Sequence, residues 1–368
     1  MSIHSINLYR AQLPLPKPYK VAFKTYITFD PYIIEVRDTD GRIGWGEAHI
    51  PEGYSKKETP DVGWQFCREF SQKVIGLNTD KAKDAIRAQS NSSPMAATAL
   101  VSAIEMLEQN AVFTIEKDAR VPLLAGISSK TLDEIPDEVD ELIGKGFKTI
   151  KVKVGFEVDD DLARLEKTRA AAVGRAMVRL DANRNYSRDD ALRFVQSVNP
   201  EGLELFEQPC DSDDWDSNAA VAAASPVSIM LDESIYSVED VERAGTIKGV
   251  DFCKIKLKRA GGIENLMAAM IRCKELGMGP VVGDGVATEI GNWMEACCAN
   301  LTTDLAGEGN GFLKSSVGLF AKPLPFEQGD IILRKGFWPE IDREALQVHS
   351  LETEGFGEAQ TTVGHAAQ

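Results

Sequence analysis

Five short apolar runs decide the fold: TIKVKV (149–154), MVRLD (177–181), LELFE (203–207), SIMLD (228–232) and FCKIK (252–256). Each closes on or beside a chemically telling residue, namely Lys153, Asp181, Glu207, Asp232 and Lys256, at intervals of 28, 26, 25 and 24 positions. A strand with its turn, helix and return loop consumes a similar length of chain in a βαβ unit. The spacing therefore predicts that one kind of side chain recurs at the same end of successive parallel strands, the end where barrel enzymes keep their chemistry.

The period extends both ways. Moving 28 positions back from Lys153 reaches Ala125 in VPLLAGI, 28 forward from Lys256 reaches Asp284 in GPVVGDG, and 24 more reaches Glu308 in DLAGEG. Between these eight runs lie segments of helical periodicity, such as DEIPDEVDELIGKG and IENLMAAMIRCKELG. Strict alternation means a parallel sheet, and eight units mean closure into a barrel. GNGFLKSSVGLFAKPLPF, after the eighth run, lacks an amphipathic helix. The expected class is α/β, a modified TIM barrel of (β/α)7β type with an N-terminal α+β capping domain.

That cap follows from a different grammar in the first 120 residues. SINLYRAQLPL, KVAFKTYITF, YIIEVRDTD and RIGWGEAH read as antiparallel strands, with Asp40-Gly41 as a hairpin turn, and three helical patterns follow. The expected division is a cap at 1–120, a barrel at 121–324 and a segment at 325–368 whose EQGDIILRKGFW returns to the cap.

Composition excludes several classes of function. A charged fraction of 27% and a hydrophobic fraction of 43% are ordinary for a soluble globular chain, and no long apolar segment suggests a membrane span. The net charge of −16 argues against nucleic acid and anionic membranes as partners. Six cysteines without a CxxC pair read as reduced core thiols, and the N-terminus carries no signal-like run, so a cytoplasmic protein is expected. A barrel of this size is also expected to form a homo-oligomer.

The spaced residues suggest their own chemistry. Asp181, Glu207 and Asp232 end three neighbouring strands, which at a separation of ~4.8 Å bring their carboxylates round one point. Hard oxygen donors favour Mg2+ or Mn2+ over zinc. Lys151 and Lys153 share a strand face, so Lys153 is expected in the barrel mouth with Lys151 below it, and Lys256 roughly across from them. A free lysine has a pKa of about 10.4, and the positive charges of Lys151 and a metal would lower it towards that of a usable base. Amines on two faces could remove a proton from carbon and return it to either side.

The four histidines are His4, His49, His349 and His365, so the barrel offers no histidine base or Ser-His triad, and no Walker or GxGxxG loop is present. Residues 16–29 and 48–58 are candidate lids that would exclude water, with Tyr19, Lys20, His49 and Tyr54 as candidate substrate contacts. Asn183, two positions beyond Asp181, is a candidate supporting hydrogen-bonder.

Together TIKVKVG, RLDANRNY, FEQPC, LDES and KIKLKRAGG resemble the enolase superfamily, specifically its muconate lactonizing subgroup, over nearly the whole chain. The resemblance implies that Asp181, Glu207 and Asp232 bind Mg2+. It also implies that Lys153 and Lys256 form the acid/base pair, and that the shared reaction removes a proton α to a carboxylate to give a metal-stabilised enediolate. In the eighth-strand GEGNG, Glu308 and Asn310 stand where dipeptide epimerases of the family show two aspartates. Asp284 and Glu289 lie near the same mouth in VVGDGVATEIG, and such extra acids favour a cationic or zwitterionic small carboxylate as substrate.

The first expectation is therefore a magnesium-dependent racemase or epimerase of an amino-acid-like carboxylate. A dehydratase or cycloisomerase using the same lysines asymmetrically is the alternative. A barrel reduced to binding alone is disfavoured by the intact lysine pair and carboxylates.

Overall fold

The computed structural model describes residues 1–20, 25–53, 58–357 and 364–365. Five strands open the chain: β1 (Ile3–Ala11), β2 (Leu13–Lys20), β3 (Thr25–Phe29), β4 (Tyr32–Asp38) and β5 (Ile43–Ala48). The run expected as one strand, SINLYRAQLPL, divides at Gln12 into β1 and β2. β2 leaves the main sheet to pair with β3 alone, Tyr19 opposite Tyr26.

Helices α1 (Pro60–Val74), α2 (Thr79–Arg87) and α3 (Pro94–Leu107) follow. The Thr59 side chain caps α1 by accepting from Val62 N–H at 3.3 Å, and Pro60 at the first helical position has no N–H to waste. α3 is buried along almost its whole length against β5. Glycine makes that approach possible, because a Cβ on Gly46 would stand 2.1 Å from the Ala99 carbonyl oxygen.

The periodic region forms the expected parallel sheet. After β6 (Ala119–Pro122) come β7 (Ala125–Gly126), β8 (Thr149–Lys153), β9 (Met177–Asp181), β10 (Leu203–Glu207), β11 (Ile229–Leu231), β12 (Val250–Ile255) and β13 (Gly279–Val282). The last seven pair in sequence order. Helices α4 (Ile135–Gly144), α5 (Val158–Ala172), α6 (Arg188–Ser197), α7 (Trp215–Ala224), α8 (Val238–Ala244), α9 (Leu257–Ala260), α10 (Ile263–Glu275) and α11 (Glu289–Thr302) alternate with them or follow β13.

The eighth strand is pared to a seam at Gly307–Glu308. Glu308 N–H donates to Val282 of β13, Gly307 N–H to Pro122, and Leu124 N–H to Gly307, each at 2.9 Å. These bonds join the two edges of the sheet and close the barrel. Beyond the seam only a single 3-10 turn, Gly311–Leu313, stands where an eighth helix would be.

Residues 325–368 divide between two sheets. β14 (Phe326–Glu327) and β15 (Asp330–Leu333) pair with each other, and β15 pairs with β6, so EQGDIILRKGFW lies at the start of the barrel rather than on the cap. The segment that reaches β1 is β16 (Ser350–Gly357), which follows α12 (Arg343–Val348) and also pairs with β17 (Gly364–His365). Among the described residues no helix is long and apolar enough to cross a membrane. All six cysteines are buried and unpaired.

Candidate active site

Strand register gathers the spaced residues. Lys153 lies opposite Asp181 and Asp181 opposite Glu207, so three consecutive strand ends share one row. Met230 is opposite Glu207, which puts Asp232 two residues further on, on the same face of its strand by period two. Lys256 follows the end of β12 at the N-cap of α9. Three strands, β9 to β11, separate the lysine-bearing β8 and β12, and Lys153 and Lys256 line a common cavity from its two flanks.

The cavity holds about 560 Å³ of atom-free space, its open mouth included, and Tyr19 and Tyr26 of the β2–β3 hairpin help to wall it. Its floor is a lattice of alternating charge. Lys151 Nζ stands 2.8 Å from Asp181, 2.9 Å from Glu207 and 2.8 Å from Glu308. Lys153 also pairs with Asp181 and bonds Asn183 Oδ1 at 2.6 Å. Lys256 meets Asp232 at 2.7 Å, and Arg259 holds the other oxygen of Asp232 at 2.6 Å.

These neighbours decide the protonation states. Burial opposes ionisation of Asp181, but Lys151 and Lys153 override it and hold the carboxyl at about 2. Asp232 is likewise buried yet held well below the usual range by Lys256 and Arg259. Glu207 goes the other way: burial, then the charge of Asp181, push it up to about 7 despite Lys151 and Lys254. Lys151 was expected as a charge that tunes Lys153. It is buried among three carboxylates, which outweigh its desolvation and keep it firmly an ammonium.

Among the described residues, no three His, Cys, Asp or Glu side chains form a ready-made metal cluster. The reason is visible in the lattice: the ammonium of Lys151 stands between Asp181 and Glu207. The donor set nevertheless fits a hard dication. Glu207 Oε2 lies 2.9 Å from Lys151 Nζ, but at an angle that makes no hydrogen bond, so this buried oxygen has unspent acceptor capacity. Three anionic side chains on adjacent strand ends are the oxygen donors that Mg2+ or Mn2+ takes.

The remaining expected residues divide. Asn183 lines the cavity and donates to Glu233 at 3.2 Å. Asp284 and Glu308 also line it, but each is matched: Asp284 by Lys258 at 2.8 Å, and Glu308 by Lys151 and Lys254. As candidate substrate contacts, both acids thus already have a lysine beside them. Asn310 turns its amide N–H to the Leu124 carbonyl at 2.9 Å and its oxygen to Lys314.

Glu289 is a correction. It is the first residue of α11, and its carboxylate accepts from Leu319, Phe320 and Leu324 N–H at 2.6, 2.9 and 3.1 Å, tying down a loop away from the cavity. His49 is a second. It is buried against Tyr26 and Phe29, outside the lining of this cavity, and burial lowers its pKa to about 4. Lys20 ends β2, opposite Thr25. Tyr54 lies outside the described residues.

Sequence reasoning passed over Lys254, Lys258, Glu233 and Lys314, which the fold brings to the cavity or beside it. Lys254 is fully buried, 2.9 Å from Glu207 and also paired with Glu308. With Lys256 and Lys258 it forms a period-two K-x-K-x-K run, the signal already used for Lys151 and Lys153. Glu233, beside Asp232, was legible only as its neighbour. Lys314 sits in an irregular loop where no periodicity applies.

Comparison with known proteins agrees with this architecture. The profile of the family described as enolase C-terminal domain-like matches residues 134–342. The L-Lys-D/L-Arg epimerase of Methylococcus capsulatus is 29% identical over 284 residues, 72% of this chain and 77% of that protein. A dipeptide epimerase from Cytophaga hutchinsonii, crystallised with Mg and the dipeptide D-Ala-L-Val, superposes with a TM-score of 0.88 at 21% identity, covering 97% of this chain and all of that one. Muconate lactonizing enzyme from Pseudomonas fluorescens, with muconolactone, gives 0.87 at 23% identity over 95% and 99% of the two chains. With the family profile spanning more than half of its length, the chain belongs to the enolase superfamily, an enzyme family whose relatives matched here include named isomerases.

Proposed function

We propose that this protein is a metal-dependent racemase or epimerase of an amino-acid-like carboxylate, working by removal and return of the α-proton. One observation carries the reading. Lys153 and Lys256 approach a single cavity from opposite flanks, with the Asp181, Glu207 and Asp232 strand ends between them.

Asp181, Glu207 and Asp232 would hold Mg2+, which supplies fixed positive charge where negative charge develops on the substrate carboxylate. Lys153 and Lys256 each reach the cavity on a flexible stem, so one amine takes the α-proton while the other delivers a proton to the opposite face. Asn183 orients Lys153 by accepting from its Nζ. Lys151, held charged by its three carboxylates, and the neighbouring Lys254 keep Glu308 ionised, which fixes the electrostatic floor. Tyr19 and Tyr26 narrow the mouth and limit water.

Incubation of N-substituted amino acids with Mg2+ in D2O tests the reading, with NMR following label at the α-carbon of both enantiomers. Lys153→Ala and Lys256→Ala are each expected to lose exchange from one enantiomer by about 10²-fold or more, the lower range for general base catalysis, while Mn2+ affinity by EPR changes little. Retention of exchange from both enantiomers in both variants refutes the two-base scheme. A cycloisomerase or dehydratase is the second reading, favoured by the equally close superposition on muconate lactonizing enzyme. A new unsaturated or cyclised product in the same NMR experiment identifies it.

A further inference from the structure

The two amines of the cavity are fixed by different parts of the molecule. Lys153 is the last residue of β8, and the turn after it is held within the barrel, where Gly155 and Phe156 N–H donate to Asp161 of α5 at 2.9 and 2.8 Å. Lys256 falls outside the ladder of β12 with β13, which ends at Ile255 and Val282. It stands at the N-cap of α9, so its backbone takes its position from the groups that hold that short helix.

The far end of α9 is held by the cap. Gly261 N–H donates to Thr98 Oγ1 at 2.9 Å, and Ile263 and Glu264 N–H, which open α10, donate to the two oxygens of Glu105 at 2.5 and 3.2 Å. Thr98 and Glu105 lie seven positions apart on α3, which is two helical turns and therefore one face. Both are wholly buried, and Arg87 of α2 braces Glu105 at 2.8 Å. Glycine permits the approach: Gly262 takes a φ of +125°, and a Cβ there would stand 2.7 Å from Glu105 Oε2. The near end of α9 is tied to the barrel, since Leu257 N–H donates to Glu295 of α11 at 3.1 Å. Lys258 and Arg259 reach Asp284 and Asp232 through long side chains, which follow the backbone rather than fix it. The bond at Leu257 locates the turn, and the cap bonds at its other end set its angle.

We propose that Thr98 and Glu105 are positioning residues for Lys256, so that the cap sets the aim of one amine while the barrel sets that of the other. The proposal rests on the reading of Lys153 and Lys256 as a proton-transfer pair. It goes beyond that reading in giving the cap, besides its cover of the cavity, control over chemistry at one face of the substrate. Misplacing a reacting group by about 1 Å costs on the order of 10²-fold in rate, and the flexible lysine stem recovers part of such a loss.

The test follows α-proton exchange in D2O from each enantiomer of one N-substituted amino acid separately, with saturating Mg2+ present. The buffer is set alkaline of the value of about 7 to which burial raises the Glu105 carboxyl. Lys256→Ala identifies the enantiomer that Lys256 serves. Thr98→Val keeps the shape of the side chain but removes the acceptor for Gly261, and Glu105→Gln turns an amide N–H towards backbone donors. In each variant kcat for that enantiomer is expected to fall about tenfold, with KM within about threefold and the opposite enantiomer within about twofold of wild type. Thr98→Ser, which keeps the hydroxyl, is expected to restore the lost rate.

Equal loss from both enantiomers, loss confined to the one served by Lys153, or full activity in both variants overturns the proposal. Failure of both variants to fold overturns it too, because the clamp is then a folding element. Should no compound exchange, or Lys256→Ala fail to single out one enantiomer, the two-amine reading fails by itself and trace acetylation read by mass spectrometry decides the clamp. A severalfold change in labelling of Lys256 in Thr98→Val, with Lys153 unchanged, then supports it, and unchanged labelling of Lys256 overturns it.

Discussion

Lys254 shows how a single residue sets the stability of the barrel interior. Its ammonium is wholly buried and pairs with both Glu207 and Glu308. Removing one partner of a buried ion pair leaves its counter-charge stranded, which costs more than the pair contributes. Lys254→Met is therefore expected to lower the unfolding free energy by about 3–5 kcal/mol, read as a lower urea midpoint. Surface pairs such as Arg193–Asp159 offer the contrast, since both side chains are exposed and their loss is worth about 0–1 kcal/mol. At this scale the sequence identified the metal-ligand candidates because their period is architectural. It could not say which acids would be neutralised, because that depends on lysines 24 to 157 positions away.

At the scale of elements, the contact between β5 and α11 is held by acids rather than by the substrate site. Glu47 of β5 accepts from Thr288 N–H at 2.8 Å and from the Thr288 hydroxyl at the start of α11, and burial pushes its pKa up to about 7. Glu295 of α11 is pushed up to about 8 by burial and then by Asp284. Both folded-state values lie above those of an unfolded chain, so the folded state binds more protons between about pH 4.5 and 8.

Their contribution is present in full at the acid end of that window and is lost as pH rises through the folded-state values. The melting temperature is expected to fall from pH 5 to pH 8, and Glu47→Gln, which mimics the protonated acid, is expected to flatten the profile. A shift of this size in one group corresponds to about 3 kcal/mol at most. An unchanged slope in Glu47→Gln would remove Glu47 as its source. The misplacement of Glu289 belongs to this scale too. Sequence showed an acid at a helix start near the mouth, but the loop at 319–324 supplies three N–H groups that turn it elsewhere.

At the scale of the whole molecule, the barrel is expected to fold without metal. Lysines 151, 153, 254 and 256 already answer the carboxylates that would bind the ion. The two large apolar clusters, one through the barrel and one between the N-terminal sheet and α1–α3, bury their side chains independently of it. Chelator is therefore expected to leave the protein folded by circular dichroism. Saturating Mg2+ is expected to stabilise it, by about 2.7 kcal/mol at a hundredfold excess over the dissociation constant, an effect lost in Glu207→Gln. A protein that unfolds in chelator would contradict the lysine lattice as a stand-in for positive charge.

By itself the sequence determined the order of strands and helices, and the row that Lys153, Asp181 and Glu207 form at one end of the barrel. Those follow from local periodicities that hydrogen-bonded strands must obey. Tertiary structure alone decided that β2 and β3 leave the main sheet to wall the cavity, and that the eighth strand survives as a seam. It also decided that Asp284 and Glu308 have lysines beside them. The physical reason is distance: charge compensation acts over a few ångströms in space, between residues that the chain itself keeps far apart.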